Sequence, residues 1–254
     1  MDNGQVETRT ENGTGIITFY HPQSNSLPGT LLRQIAAAIN AAGNDGSVKV
    51  IVLQSGGEKA FCAGASFDEL ISIKNTQEGK IFFSGFAEVI NAIRKSGKFV
   101  IARVHGRAVG GGVGIAAAAD YTLAHMSASV KLSELAIGIG PFVVGPAVER
   151  KIGVSAFTML SVNATEWQTA SWAKEKGLYS QVFETMEELD KSLAALAGRL
   201  SQSSPEAMSA LKKVLWKGTE DWDTLLQERA EISGNLILSG FARNAIARFK
   251  AGSR

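Results

Sequence analysis

The chain has 254 residues, of which 45% are hydrophobic and 20% charged, a composition typical of globular proteins that bury a core. The formal net charge is +2, which is too small to indicate a nucleic-acid partner. No run of about 18 apolar residues is free of charges and glycine, so we expect no membrane span. The single cysteine, Cys62, excludes an internal disulfide framework and is typical of a reducing compartment. Residues 1–13 lack the features of a signal peptide, so we expect a cytoplasmic protein.

Strand and helix patterns alternate along the first half of the sequence. Runs rich in β-branched residues predict strands over residues 15–20, 48–54, 99–104 and 121–125. Apolar residues at helical spacing predict amphipathic helices over residues 28–42 and 78–95. Because strands and helices alternate, the pattern indicates an α/β core with crossover connections.

Helix signals dominate after about residue 160. Thr165 and Gln168 have the spacing of a capping box and predict a helix that Gly177 ends. A leucine stripe over residues 189–200 predicts a second helix. Ser204 followed by a proline starts a third. We therefore divide the chain into a core over residues 1–195 and a helical region over residues 196–254.

The helical region carries apolar side chains that need burial. They are Trp216, Trp222, Leu225, Leu226, Leu236, Ile237, Leu238 and Phe241. Such faces must pack against the core or against another subunit, and we expect self-association.

Two segments place small residues at the entrance of a predicted helix: KAFCAGASFDEL at 59–70 and GRAVGGGVGIAAAAD at 106–120. A helix entrance has unpaired N–H groups and the positive end of the helix dipole. Two entrances that face one point would form an oxyanion hole made of backbone N–H groups. The alternative is that the glycines only permit tight packing of helix against strand. Neither the dinucleotide fingerprint nor a P-loop is present.

These segments, together with KLSELAIGIGP at 131–141, resemble the crotonase, or enoyl-CoA hydratase/isomerase, superfamily. The resemblance extends from the first predicted strand and HPQSNSL to SGFARNAIARFK and so covers essentially the whole chain. It implies a spiral of ββα units, a C-terminal helical trimerisation region, and homotrimers that often pair into hexamers. It also implies acyl-CoA thioester substrates, with coenzyme A as part of the substrate and with no separate cofactor or metal.

The resemblance also implies site residues. The N–H groups of Ala65 and Gly111 would hold the thioester oxygen and stabilise an enolate formed by proton loss at the neighbouring carbon. The coenzyme A moiety would contact residues of the first segment and of the C-terminus, namely Ala63, Gly64, Ser66, Phe67 and Lys250. The family often has Asp where Ser66 stands. For Lys250, a solvated lysine is the alternative to a contact with the 3′-phosphate.

The acid–base residues separate the reactions of this family. Its hydratases use two glutamates, and the first corresponds to Gly114, which has no side chain. The second corresponds to Glu134. A single glutamate resembles the Δ3,Δ2-enoyl-CoA isomerases, in which it moves a proton from C2 to C4. Desolvation by neighbouring apolar residues would raise the pKa of Glu134; the candidates are Leu132, Leu135, Ile137 and Ile139.

Other functions stay open. An enoyl-CoA hydratase of fatty-acid or branched-chain acid breakdown is one alternative. Another is a crotonase-type lyase or hydrolase with its acid elsewhere, for which Asp68, Glu69 and Asp120 are candidates. A non-catalytic member would only bind acyl-CoA. An RNA-binding member would need a lysine-rich early helix, whereas residues 28–45 hold one arginine and no lysine, so we expect no nucleic acid.

Several further residues have predicted positions. We expect the acyl pocket to be lined or covered by Phe82, Phe83, Phe86 and Ile90. Cys62 and His105 are interpreted as structural residues rather than as a nucleophile or a base.

Overall fold

The structure, a computed structural model, describes the backbone of residues 4–252 and the side chains of residues 4–248. Within these residues the strands are β1 (Gln5–Glu11), β2 (Thr14–Tyr20), β3 (Ser26–Leu27), β4 (Val50–Ser55), β5 (Ala60–Cys62), β6 (Gly64–Ala65), β7 (Val100–Val104), β8 (Arg107–Val109), β9 (Tyr121–His125), β10 (Val130–Lys131) and β11 (Gln181–Phe183). The helices are α1 (Gly29–Asn44), α2 (Phe67–Ser72), α3 (Thr76–Lys95), α4 (Gly111–Ala118), α5 (Gly145–Val162), α6 (Ala170–Glu175), α7 (Met186–Ser201), α8 (Pro205–Leu215), α9 (Trp222–Leu236) and α10 (Gly240–Gly252).

The larger sheet has its described strands in the order β1-β2-β4-β7-β9-β11. All neighbours are parallel except β1, which pairs antiparallel with β2. Both faces of β4 are buried, because Ile51 and Leu53 pack with α1 and α3 while Val50 and Val52 pack with α7. Burial on both faces explains why β4 reads as a continuous apolar run rather than as an alternating one. The four strands predicted from the sequence are confirmed, and the α/β class with them.

Two small sheets lie beside the large one. In one, β10, β8 and β5 are parallel neighbours, and in the other β3 pairs with β6. Strand β8 leads into the entrance of α4, and β6 leads into α2. The short strands therefore carry both glycine-rich segments to their positions.

The predicted capping box at Thr165 is wrong. Residues 163–168 form turns and a β-bridge between Gln168 and Val130. Helix α6 begins later, with Thr169 as its N-cap accepting a hydrogen bond from Trp172 N. A capping box does occur at Thr185, at the start of α7. The pairing of Gln168 with a distant strand competes with the local helix signal, and local spacing alone could not reveal it.

The C-terminal helices fold back onto the core of the same chain. Trp222 and Leu226 of α9 are buried in the main hydrophobic core, and α9 packs along α3. The two helices approach so closely that an ideal Cβ on Gly79 would be 2.7 Å from Gly234 Cα. Phe241 of α10 stays 61% exposed. Residue 196, where we expect the helical region to begin, lies inside α7.

Across the described residues, no helix is long and apolar enough to cross a membrane. In the same part of the chain, His, Cys, Asp and Glu residues form no group of three or more suited to a metal ion.

Candidate active site

The two glycine-rich segments meet in space. Strand β6 ends at Ala65, and helix α4 begins at Gly111. Gly64 has a φ of +88°, and an ideal Cβ there would lie 3.0 Å from Val109 O and 3.8 Å from Gly111 N. A positive φ favours glycine, and so does this close approach. The N–H group of Gly111 belongs to the first turn of α4, where N–H groups have no acceptor within the helix.

The glycines of the second segment also serve packing. An ideal Cβ on Gly111 would lie 2.0 Å from Phe86 Cε1, and one on Gly112 would lie 2.6 Å from Cys62 O. All residues of α4 are buried. Because these glycines have no side chains, α4 can pack closely against Phe86 and Cys62. The same packing places the N-terminus of α4 beside the first segment.

A cavity adjoins both segments. Six of the predicted site residues line it: Ala63, Gly64, Ala65, Phe67, Gly111 and Glu134. Most of its remaining wall is apolar and includes Leu70, Val109, Ile137, Ile139, Pro141, Phe142, Val143 and Val144. An apolar cavity with few polar groups is typical of a small-molecule site.

Two predicted residues do not join this group. Ser66 is buried and does not line the cavity. Its Oγ accepts a hydrogen bond from Glu69 N at 3.4 Å and caps the start of α2, which explains a serine at this position. The side chain of Lys250 lies outside the described residues. The contacts of both residues with coenzyme A stay predictions.

Glu134 projects its carboxylate into the cavity from the turn after β10. Its main-chain O accepts hydrogen bonds from Ile137 N and Ile139 N, both at 3.1 Å, which fixes the turn. An ideal Cβ on Gly110 would lie 2.9 Å from Glu134 Oε1, so the carboxylate rests against that glycine. Glu134 Oε2 is buried and has no hydrogen-bond partner among the described residues. Burial raises the pKa of Glu134 to about 7, because desolvation disfavours the charged form.

The apolar surroundings of Glu134 differ in part from the prediction. Ile137 and Ile139 line the cavity as expected. Leu132 is buried in the core outside the cavity, and Leu135 is 51% exposed. The turn after Glu134 is a single 3₁₀ turn, Leu135–Ile137, whose geometry directs Leu135 away from the cavity. Residues 140–144, which sequence reasoning missed, complete the apolar wall instead.

The resemblance predicts that Gly114 corresponds to the first glutamate of a hydratase. It is buried in α4, and an ideal Cβ there would be 2.4 Å from Val144 Cγ1 and 2.5 Å from Val144 Cβ. Real Cβ atoms do not approach other atoms so closely. Val144 therefore occupies the volume that a side chain at position 114 would need.

Helix α3 supplies part of the wall. Phe83 and Phe86 line the cavity as predicted, whereas Phe82 and Ile90 lie in the core behind them. Ser233 of α9 and Ser133 after β10 also line the cavity and were not predicted. Nothing in their local sequence signals this, because their place depends on packing between distant elements.

Two of the other candidate acids, Asp120 and Glu69, have structural partners. Asp120 Oδ2 pairs with Lys212 Nζ at 2.8 Å, and both side chains are almost fully buried. Asp120 also accepts hydrogen bonds from Val100 N at 2.7 Å and Trp216 Nε1 at 2.8 Å. Glu69 Oε2 accepts a hydrogen bond from Gly29 N at 2.7 Å. Neither carboxylate lines the cavity.

Cys62 and His105 have environments that favour their neutral forms. Cys62 is fully buried, and burial raises the pKa of its thiol to about 12. A thiolate is the reactive form of cysteine, so the thiol is poorly suited to act as a nucleophile. His105 is also buried, and burial lowers its pKa. Neither residue lines the cavity.

A family model described as enoyl-CoA hydratase/isomerase matches residues 9–242. The chain belongs to this family. It is 29% identical over 252 residues to the short-chain-enoyl-CoA hydratase of Clostridium acetobutylicum, with 98% of this chain and 95% of the relative covered. It is 34% identical over 209 residues to a Rhizobium meliloti protein named "Probable enoyl-CoA hydratase", with 81% and 79% covered.

A solved structure of this family has the same fold. The enoyl-CoA hydratase of Bacillus halodurans superposes with a TM-score of 0.88 at 24% identity, with 96% of this chain and 99% of that one covered. At this identity the likeness establishes the fold alone. The protein is thus an enzyme of the crotonase superfamily, with the α/β fold of that group.

Proposed function

We propose that the protein is a Δ3,Δ2-enoyl-CoA isomerase that uses Glu134 as a single proton shuttle. The observation that carries this proposal is the packing at Gly114, where Val144 fills the space of the first hydratase glutamate. Among the described residues that line the cavity, Glu134 has the one ionisable side chain. Moving a double bond requires one group that takes a proton and returns it, whereas hydration must also activate water.

The proposed reaction begins when the Glu134 carboxylate removes a proton from C2 of a 3-enoyl-CoA. The electron pair of the broken C–H bond moves toward the thioester oxygen, and the N–H groups of Ala65 and Gly111 stabilise the dienolate. Glu134 then returns the proton to C4. The double bond moves from C3–C4 to C2–C3, and no atom is gained or lost. A pKa of about 7 suits a group that must both accept and release a proton near neutral pH.

An enoyl-CoA hydratase is the second candidate, because the relatives named above are hydratases. Such an activity would need a water-activating group that replaces the missing glutamate. Ser133 and Ser233 are the hydroxyl groups in the described cavity wall. A hydroxyl is a much weaker base than a carboxylate at neutral pH, so the site favours isomerisation.

A substrate panel tests the proposal directly. The protein is incubated with 3-enoyl-, 2-enoyl- and branched acyl-CoAs, and the products are identified by mass spectrometry. Isomerisation leaves the mass of a 3-enoyl-CoA unchanged, whereas hydration of a 2-enoyl-CoA adds one water. Fast formation of a water adduct would favour the hydratase, and release of free coenzyme A would indicate a hydrolase.

The Glu134→Gln variant tests the catalytic assignment. The amide keeps the size of the side chain but cannot take up the proton, so turnover should fall by about 10²- to 10⁴-fold. Glu69→Gln is the control, because Glu69 lies in the first segment but outside the cavity; its turnover should stay close to that of the unmodified protein. Equal turnover in both variants would contradict the role of Glu134.

We also propose that the protein acts as a homotrimer, or as a dimer of trimers, on acyl-CoA thioesters. Apolar side chains that remain exposed in the described C-terminal region support self-association, among them Val214 at 69% and Phe241 at 61%. Lys250 would reach the nucleotide end of coenzyme A on a neighbouring subunit. Light scattering measures the mass in solution, and a particle of 26.9 kDa, the mass of one chain, would contradict this assembly.

A further inference from the structure

A second cavity adjoins the catalytic cavity across a shared wall. It lies between the start of α5 and helix α9. Pro141 and Phe142 line both cavities. The remaining residues around the second cavity are Gly145, Pro146, Glu149, Phe157, Ser161 and Arg229.

The wall is held in place by a hydrogen-bonded turn. Phe142 N donates to Gly140 O at 2.8 Å, and Gly145 N donates to Pro141 O at 2.7 Å. The ring of Phe142 rests against the backbone of Gly140, where an ideal Cβ would lie 2.7 Å from Phe142 Cζ. Phe142 is half-buried and lines both cavities. We therefore expect that removal of its ring would join the two spaces.

The second cavity offers an apolar surface directly behind the wall. The ring of Phe157 packs over Gly145, whose ideal Cβ would lie 3.0 Å from Phe157 Cζ. Pro146 extends this surface, and the charged groups of Glu149 and Arg229 also line the cavity. An aliphatic chain that passed the wall would bury methylene groups against these rings, and each buried methylene would strengthen binding about four-fold.

We propose that Phe142 sets the length of acyl chain that the protein accepts. Its ring confines the acyl group to the catalytic cavity, and the cavity behind it is a distal subsite for a longer chain that becomes available when the ring is removed. This inference rests on the acyl-CoA binding of the proposed function, but it does not depend on which reaction Glu134 performs.

Calorimetric binding of saturated acyl-CoAs tests the inference without turnover, because these ligands have no double bond to move. Butyryl-, octanoyl- and hexadecanoyl-CoA are titrated into the unmodified protein and into Phe142→Ala. The unmodified protein should prefer butyryl-CoA. In Phe142→Ala, the ratio of octanoyl to butyryl affinity should rise at least about ten-fold, since each further buried methylene adds about four-fold.

Phe157→Ala is the matched control, because it removes a ring of the same size from the second cavity and leaves the wall intact. Its chain-length preference should equal that of the unmodified protein. Phe142→Leu, which keeps an apolar side chain, serves if the alanine variant unfolds, and it should shift the preference in the same direction. Unchanged preference in both Phe142 variants, or no binding of any acyl-CoA, would overturn the inference. If the affinity ratios change as expected but the unmodified protein shows no isomerase activity, the proposed function is overturned and this inference stands.

Discussion

Gly114→Ala tests whether the space beside α4 is occupied. The added Cβ would lie 2.4 Å from Val144 Cγ1 and 2.5 Å from Val144 Cβ. No rotamer of Val144 moves its own Cβ, so α4 and the turn at residues 140–144 must separate. Overpacking of this kind costs about 1–3 kcal/mol, and replacing a helical glycine by alanine recovers about 0.5–1 kcal/mol. The difference lowers the free energy of unfolding by up to about 2.5 kcal/mol, with a central value of about 1 kcal/mol.

Val144 variants identify the source of this cost. Val144→Ala keeps the Cβ that would lie 2.5 Å away, so Gly114→Ala should remain costly in that background. Val144→Gly removes both contacts and leaves Val144 Cα at 3.4 Å, so Gly114→Ala should be neutral or stabilising there. The double-mutant cycle should therefore show a coupling of about 1–3 kcal/mol with glycine at 144 and little with alanine.

Urea unfolding followed by circular dichroism measures each free energy. Gly198→Ala in α7 is the control. Apart from its chain neighbours and the adjoining backbone of its own helix, no atom lies within 4 Å of an ideal Cβ at that position. It should stabilise the protein by about 0.5–1 kcal/mol through helix propensity alone. If Gly114→Ala stabilises the protein as Gly198→Ala does, the space beside Gly114 is free and position 114 could hold a side chain.

Three further predictions follow from buried ionisable groups. Isomerase activity should fall as the pH drops through about 7, because Glu134 must be a carboxylate to accept a proton; a flat profile of kcat/KM would contradict this. Lys212→Met leaves Asp120 buried without its cation and should cost about 3–5 kcal/mol in urea unfolding, whereas the exposed Lys213→Met should change stability by less than about 0.5 kcal/mol. Native Cys62 should resist iodoacetamide at pH 8, as mass spectrometry would show, because burial raises the pKa of its thiol to about 12; rapid labelling without unfolding would disprove this.

The elements that sequence analysis predicted are those with a strong local pattern. Strands β2, β4, β7 and β9 carry runs of β-branched residues, and α1 and α3 carry apolar stripes. Ile81, which the stripe of α3 includes, is nevertheless 52% exposed. The short strands β3, β5, β6, β8 and β10 have two or three residues each. Two or three residues are too few to show the alternation of apolar and polar residues that predicts a strand. These strands are stabilised by pairing with distant partners, which the local sequence does not show. Helix α5 was also not predicted. Gly153 interrupts it with a non-helical φ of 74°, so the sequence does not show one continuous helical pattern.

The candidate site was predictable where a residue acts through its own chemistry. The two glycine-rich segments stand out by residue type and order, whereas Glu134 is selected only through the resemblance to the crotonase superfamily; the structure brings all three to one cavity. Val144 could not be selected in this way. Its role depends on its contact with Gly114, 30 positions earlier in the chain, and a valine carries no local signal of such a contact. Phe142 is a similar case: its importance comes from the two cavities it separates, and neither cavity is visible in the sequence.

The turn at residues 140–145 contributes both to the proposed catalytic site and to the proposed limit on acyl-chain length. Residues 140–145 place Val144 against α4 and Phe142 between the cavities, and the hydrogen bond from Gly145 N to Pro141 O spans both. The same turn belongs to the apolar wall that desolvates Glu134 and raises its pKa to about 7. This raised pKa has a stability cost with a definite sign. The folded state holds its proton more tightly than the unfolded chain does, so the stabilisation is full at low pH and is lost as the pH rises through about 7. The protein therefore retains a destabilising buried carboxylate near neutral pH, where that carboxylate is the base of the proposed reaction.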